Sequence, residues 1–227
     1  MKVGYAVLYE DGTLTISKKY TILQKPIYKD YGKFEDYNRP WINDTDEIKI
    51  VKILNQVKSN YMKEWFDNCC NLTTLINFQN LDVSDCKDFS DTFFSCENLK
   101  NISSLKNWNV SNGIDFSGMF FDCKSLTNIS TLKNWNVSNG TNFESMFRVC
   151  IHLMNISELQ NWNVSNGINF DSMFRLCFSL KEIHLPDTLC KLRANMFQDC
   201  NENLKINWKN NIYIYSDLKE YYEFVKN

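Results

Sequence analysis

From residue 60 onward the apolar positions of the chain repeat at a fixed interval. Phe66, Phe93, Phe120, Phe147 and Phe174 stand 27 residues apart, each followed three positions later by Cys69, Cys96, Cys123, Cys150 or Cys177. Leu72, Leu99, Leu126, Leu153 and Leu180 keep the same step, and a last unit with Phe197 and Cys200 follows after 23 residues. Self-similarity of this length is the signature of a solenoid, whose units bury their apolar faces only against their neighbours. Within one unit Phe143, Met146, Phe147 and Cys150 recur at i, i+3, i+4 and i+7, a spacing that predicts a short helix with one buried face. The next stretch, Leu153-Met154-Asn155-Ile156-Ser157, predicts a strand with Ile156 inward; strands of successive coils would lie parallel, about 4.8 Å apart. The NWNVSNG segments around Trp108, Trp135 and Trp162 supply the polar and glycine positions of a corner.

The flanks read as caps that keep the end coils from exposing apolar surface and open strand edges. Val3 to Tyr9, then Asp11-Gly12, then Thr13 to Ser17 is alternating sequence around a two-residue turn, which predicts a hairpin. Residues 18–46 show no regular period and predict a long ordered loop. Glu47 to Leu54 predicts a half-buried strand, and Asn60 to Asn68 a helical lead into the first coil. At the far end Ile212 to Tyr215 predicts a strand, with Ser216 capping a helix that places Leu218, Tyr221, Tyr222 and Val225 toward the core. The expected organisation is an N-terminal β cap over 1–65, a repeat solenoid over 66–206 and a C-terminal strand-helix cap over 207–227. The fold class is an α+β repeat solenoid.

The motif MF-x-x-C-x-x-L-x-x-I followed by N-W-N-V-S-N resembles the BspA-like class of bacterial leucine-rich repeat surface proteins over residues 66–206. The last unit, LPDTLCKLRANMFQDC, is similar to the shorter 23-residue form of that repeat. The resemblance implies a leucine-rich-repeat-like right-handed stack, with parallel inter-coil strands and short helices, used for binding other proteins. Family members are commonly exported and surface-anchored. This chain begins MKVGYAVLYEDGT without a signal's apolar core, and no apolar run approaches the roughly 18 residues of a membrane span. The expected location is therefore cytoplasmic, with a cell or virus (phage) surface as the alternative.

Composition narrows the chemistry. The chain has 227 residues, is 44% hydrophobic and carries 25 Lys+Arg against 27 Asp+Glu, a net charge of -2 that does not suit a general nucleic-acid binder. Nine cysteines, an odd number, suggest reduced thiols, and the ladder cysteines read as small buried residues. No Cys-x-x-Cys pair is present, so neither a metal nor a cofactor is expected. The histidines are His152 and His184; Cys150 with His152 is the one Cys-His candidate, set against the buried position of that cysteine in the ladder. The carboxylate pairs Asp67 with Asp91, and Glu144 with Asp171, read as solvated charge rather than acid-base or calcium groups. With no glycine-rich phosphate loop or hydrolase motif, a non-enzymatic module is expected. Asn-x-Ser recurs at Asn101, Asn109, Asn128, Asn136, Asn155 and Asn163, a pattern of glycan acceptors that here reads as repeat chemistry.

What remains is surface. Alternation turns Asn101, Asn128, Asn155 and Glu182 outward together with Ser103, Ser130, Ser157 and His184, and Lys133 and Gln160 extend the row. A protein partner spanning several coils is expected to dock there, with no nucleic acid and no membrane insertion; the oligomeric state is open. The competing readings are ordinary solvated residues copied by duplication, and a site at Tyr20, Tyr28, Tyr31 and Tyr37 in the N-terminal loop.

Overall fold

The computed structural model describes residues 2–35, 37–154 and 156–218, leaving aside the side chains at positions 2, 3 and 194. Strands β1 (Lys2–Tyr9) and β2 (Thr13–Ser17) form the predicted antiparallel hairpin, with Asp11 Oδ1 accepting the Thr13 N–H at 3.0 Å in the turn. Residues 27–35, expected to be irregular, form a third strand, β3 (Ile27–Glu35), antiparallel on the other edge of β1. Of its side chains Phe34 alone is buried, and its register with β1 slips at three places. An edge strand wet on both faces and interrupted by bulges shows no period of two.

The free edge of β2 starts the stack. Strand β4 (Ile50–Ile53) joins it in parallel, β5 (Val57–Lys58) follows, and β6 (Thr74–Ile76) joins β4. Strand β7 (Leu81–Asp82) pairs in parallel with β5. At the far end β8 (Glu182–His184) and β9 (Lys205–Trp208) are parallel, and β10 (Asn211–Ile214) folds back antiparallel on β9. The β9–β10 turn, Lys209-Asn210, has φ of 48° and 63°, the left-handed pair of a tight hairpin turn. Both ends are thus closed by a hairpin. Residues 215–218 are helical, so the helix begins one residue before the expected cap Ser216; Leu218 packs against the core, while Tyr221, Tyr222 and Val225 lie outside the described residues.

Between β7 and β8 the expected strand of each coil is replaced. At its place 3-10 helices begin, Ser103–Leu105, Ser130–Asn134 and Ser157–Asn161. In the first two the cause is the preceding asparagine: Asn101 Oδ1 accepts the Ser103 N–H at 2.8 Å and Asn128 Oδ1 that of Ser130 at 2.6 Å, bending the chain directly after the buried isoleucine. Parallel pairing between the middle coils is reduced to single bridges, Asp88–Asp115–Asn142–Asn169.

The expected short helix is also replaced. Around Phe120 alternate N–H groups leave the coil: Phe116, Gly118, Phe120 and Asp122 donate to the carbonyls of Asn142, Glu144, Met146 and Arg148 at 2.8–2.9 Å. The N–H groups between them close tight turns within the coil, Met119 to Phe116, Phe121 to Gly118 and Cys123 to Phe120. An α-helix sends every N–H back along its own strand and leaves none for a neighbour. The route needs left-handed residues every fourth position, and Gly118, Asp122, Ser145 and Val149 have φ of 58°, 59°, 55° and 63°. Residues 60–68 follow the same path, with Phe66 donating to Thr92 O and Asn68 to Phe94 O.

Both routes bury the same positions. Phe66, Phe93, Phe120, Phe147, Phe174 and Phe197 stack in one column with centroids 5.4–5.8 Å apart. Phe89, Phe116, Phe143 and Phe170 form a second column at 5.2–5.5 Å. All nine cysteines are free; Cys70 is half-buried, Cys190 exposed and the rest buried.

Candidate functional site

The repeated polar residues hold the coils together before they offer anything to a partner. In NWNVSNG the first asparagine caps a turn, Asn136 Oδ1 accepting the Ser138 N–H at 3.1 Å. The tryptophan donates its indole N–H to the preceding coil, Trp135 to Leu105 O at 3.2 Å, and the last asparagine does likewise, Asn139 Nδ2 to Ser111 O at 2.7 Å. A Cβ on Gly140 would stand 2.5 Å from Phe143 Cζ, so the second aromatic column requires a glycine there. The Asn-x-Ser pattern is explained by these turns.

The ladder cysteines do more than fill space. From Cys96 onward each points its Sγ–H at the ladder phenylalanine carbonyl of the preceding coil, Cys123 to Phe93 at 3.3 Å, Cys150 to Phe120 at 3.2 Å and Cys200 to Phe174 at 2.9 Å. Burial pushes these thiols up, that of Cys200 to about 12. Cys150 is raised well above the ordinary value for the same reason, while His152 is exposed at the surface. A thiol held protonated against a backbone carbonyl is not an activated nucleophile.

Of the carboxylates, Asp67 stands 3.4 Å from Arg39, Glu144 accepts Asn169 Nδ2 at 2.9 Å, and Asp171 lies 3.6 Å from Arg193. Among the described residues no group of three or more His, Cys, Asp or Glu is arranged to hold a metal ion.

The outward row lies on the surface in two groups. A groove of about 400 Å³ runs between two coils, lined by Lys100, Asn101 and Ser103 on one and Thr127, Asn128, Ser130 and Thr131 on the next. A second, of about 410 Å³, takes Gln160 and His184 with Asp187 and the closing hairpin residues Asn207 to Ile212. Glu182 flanks it, 3.7 Å from His184 Nε2 and accepting Asn207 Nδ2 at 3.0 Å. Lys133 is exposed and Ser157 half-buried, and both lie outside the two grooves; Asn155 is outside the described residues. Ser103, Ser130, Lys133, Ser157 and Gln160 stand on 3-10 turns, with Asn101 and Asn128 two residues before theirs, rather than on a continuous strand face; Glu182 and His184 stand in β8. In the N-terminal cap Tyr31 Oη donates to Asp44 at 2.8 Å, and Tyr20 and Tyr37 engage Asp30 and Glu35.

One row escaped the sequence reading although the same period carries it. The residues after the five evenly spaced ladder phenylalanines are Asp67, Phe94, Phe121, Arg148 and Arg175. Phe94 and Phe121 stack with centroids 4.5 Å apart, and the Arg148 guanidinium carbon lies 5.2 Å over the Phe121 ring.

Residues 60–185 match the family described as "Mycoplasma protein of unknown function, DUF285". The chain belongs to this family. The matched stretch of this DUF285 chain holds the 27-residue coils from the first ladder phenylalanine to the start of the shorter unit. No curated protein matches the chain. Two solved structures are similar. A leucine-rich repeat protein from Bacteroides ovatus has 19% identity and a TM-score of 0.46, with 91% of this chain and 51% of that one covered. A leucine rich cell surface protein from Faecalibacterium prausnitzii has 14% identity and a TM-score of 0.32, with 92% and 76% covered. The chain thus spans about half the length of the Bacteroides protein it matches. Both neighbours are described as leucine-rich proteins, the first as a leucine-rich repeat protein. The Faecalibacterium protein is described as a cell surface protein. Among the described residues no helix is long and apolar enough to cross a membrane.

Proposed function

We propose that the chain is a non-enzymatic interaction module, one right-handed leucine-rich-repeat-type solenoid between two caps, that binds a protein partner along its inter-coil grooves. The observation that carries this reading is the groove between the coils of Asn101 and Asn128, where side chains from two adjacent coils face one open space of about 400 Å³. Grooves formed between repeats let one partner touch several units at once. In this reading the first groove contributes Asn101, Ser103, Asn128 and Ser130, the second Gln160 and His184 with Glu182 beside it, and Lys133, Asn155 and Ser157 complete the partner-facing set.

Because the Asn128 side chain caps a turn, the test leaves it intact. Full-length protein and a Ser103→Arg/Thr131→Arg variant serve as baits in extracts of the source cells. A partner retained by the first and lost by the second, at unchanged circular dichroism, supports the reading. Equal retention removes the groove, and a turnover activity abolished by one side-chain change removes the non-enzymatic assignment. The other reading is a structural or adhesive component of a cell or virion surface, favoured by the surface description of the Faecalibacterium neighbour; labelling of intact cells or particles separates the two.

A further inference from the structure

Two unpaired charges of opposite sign meet over a single turn of the third coil. Asp91 comes from the coil before, and its carboxylate lies over Gly118, where a Cβ would collide with it. Arg148 comes from the coil after and lies over the Phe121 ring, 5.2 Å from its centroid. Gly118 and Phe121 belong to one turn, closed by the Phe121 N–H donating to Gly118 O at 2.9 Å. The neighbouring charges of the row are already matched: Asp67 to Arg39 at 3.4 Å, and Arg175 to Asp199 at 3.2 Å. Among the described residues Asp91 and Arg148 make no ion pair, and the buried Arg148 Nε has no acceptor. Beside them the half-buried Phe94 and Phe121 form a small apolar centre.

We propose that two copies of this chain pair across this surface about a two-fold axis, Asp91 of each copy meeting Arg148 of the other. A two-fold contact is self-complementary, so one patch must carry both halves of every interaction. An axis through the Gly118–Phe121 turn satisfies this: it exchanges the acidic and basic sides and brings the aromatic pair of one copy onto that of the other. The occupant is a second copy rather than an acidic or basic peptide, because a partner of one sign would neutralise one of the two charges and be repelled by the other. The patch is small. Asp91 and Arg148 stand two coils apart, about 10 Å at the usual strand spacing, so each copy buries less than the about 800 Å² of a standard interface. The dimer is accordingly weak, with a dissociation constant in the micromolar range or above.

This surface shares no residue with the two grooves, so its test is independent of the proposed partner binding. Sedimentation equilibrium of the full chain, from micromolar to millimolar concentration, is expected to show the mass rising from 26.9 kDa toward twice that value. Asp91→Lys and Arg148→Glu should each weaken the dimer at least about tenfold, since like charges then face each other across the axis. An equimolar mixture of the two variants should dimerise again: the new lysine of one faces the new glutamate of the other, and the native pair survives on the opposite side. Near-ultraviolet circular dichroism of the stacked aromatics reports folding, and Arg148→Gln, which removes the charge alone, must also weaken the dimer. A wild-type chain that stays at 26.9 kDa throughout, single variants that dimerise like wild type, or a mixture that stays monomeric each overturns the proposal.

Discussion

Asp91 shows what a repeat costs a single residue. Its φ of 53° places it in the left-handed region, and its half-buried carboxyl is raised to about 6, chiefly by burial, with Asp67, Glu64 and Asp115 adding repulsion and Lys63 opposing it. The unfolded carboxyl titrates near 3.8, so between that value and about 6 the folded chain binds more protons than the unfolded one. Stability therefore falls as pH rises through this window, and the penalty is complete above it. Asp91→Asn removes the charge and keeps a residue type that tolerates left-handed backbone. It should stabilise the fold by about 1 kcal/mol near pH 7, the full shift being discounted for solvent screening. Urea midpoints measured at about pH 7.5 and pH 4, at concentrations where the chain is monomeric, check this: the gain must shrink to a small fraction at the acidic value. Left-handed positions are legible where the coils carry Asn68, Ser95 or Asp122, but Val149 and Leu176 hold the same conformation with φ of 63° and 64°. A branched residue there points away from such a backbone, and the spacing then reads as a helix.

At the scale of the element, what is visible in the sequence is which positions are buried. Helix and turn ladder both deliver Phe143, Met146, Phe147 and Cys150 to one side, and strand and 3-10 turn both turn Ile129 and Ile156 inward. The pattern cannot separate the two routes, because the deciding quantity is where each N–H goes, and half of those in the ladder go to another coil. The same limit applied to the site. Alternation turns Asn101 and Asn128 outward, as they are, but their role in turning the chain depends on a bond to the N–H two residues on. The tryptophan column tests how much such cross-coil bonds contribute. Trp108, Trp135 and Trp162 donate to Phe78 O, Leu105 O and Leu132 O at 3.0–3.2 Å. Trp135→Phe keeps an aromatic ring, loses the donor and leaves a small void, so it should destabilise by about 1–2 kcal/mol. Replacing the exposed Lys133 by Gln is the control. A denaturation midpoint for Trp135→Phe equal to that of the control would show that the indole bond contributes nothing.

For the whole molecule, neighbouring coils exchange bonds in both directions. Backbone N–H groups of the turn ladder donate to the coil that follows, whereas corner backbone N–H groups such as those of Ile114 (to Lys87 O) and Thr141 (to Ile114 O), together with the ladder cysteines from Cys96 onward, the column tryptophans and Asn112, Asn139 and Asn166, donate to the coil before. Every inner coil thus offers the same set of donors and acceptors on each side. A chain in which residues 111–137 are duplicated after Val137 should fold, with a thermal midpoint no lower than that of the parent, since one more interface is added and none is lost. Aggregation or a lowered midpoint of the duplicated chain would show that the coils are not interchangeable. The middle of the stack is thus a short piece of a one-dimensional crystal, in which translation by one coil maps bonds onto bonds. A crystal of this kind carries no internal address: a strand of sequence that slips by one coil meets the same carbonyls and the same rings it left. The address is written at the boundaries, where Trp41 and Trp65 break the phenylalanine column at one end and the 23-residue step to Phe197 shortens it at the other. The caps therefore set register as well as closure, and the chain counts its coils from the ends inward.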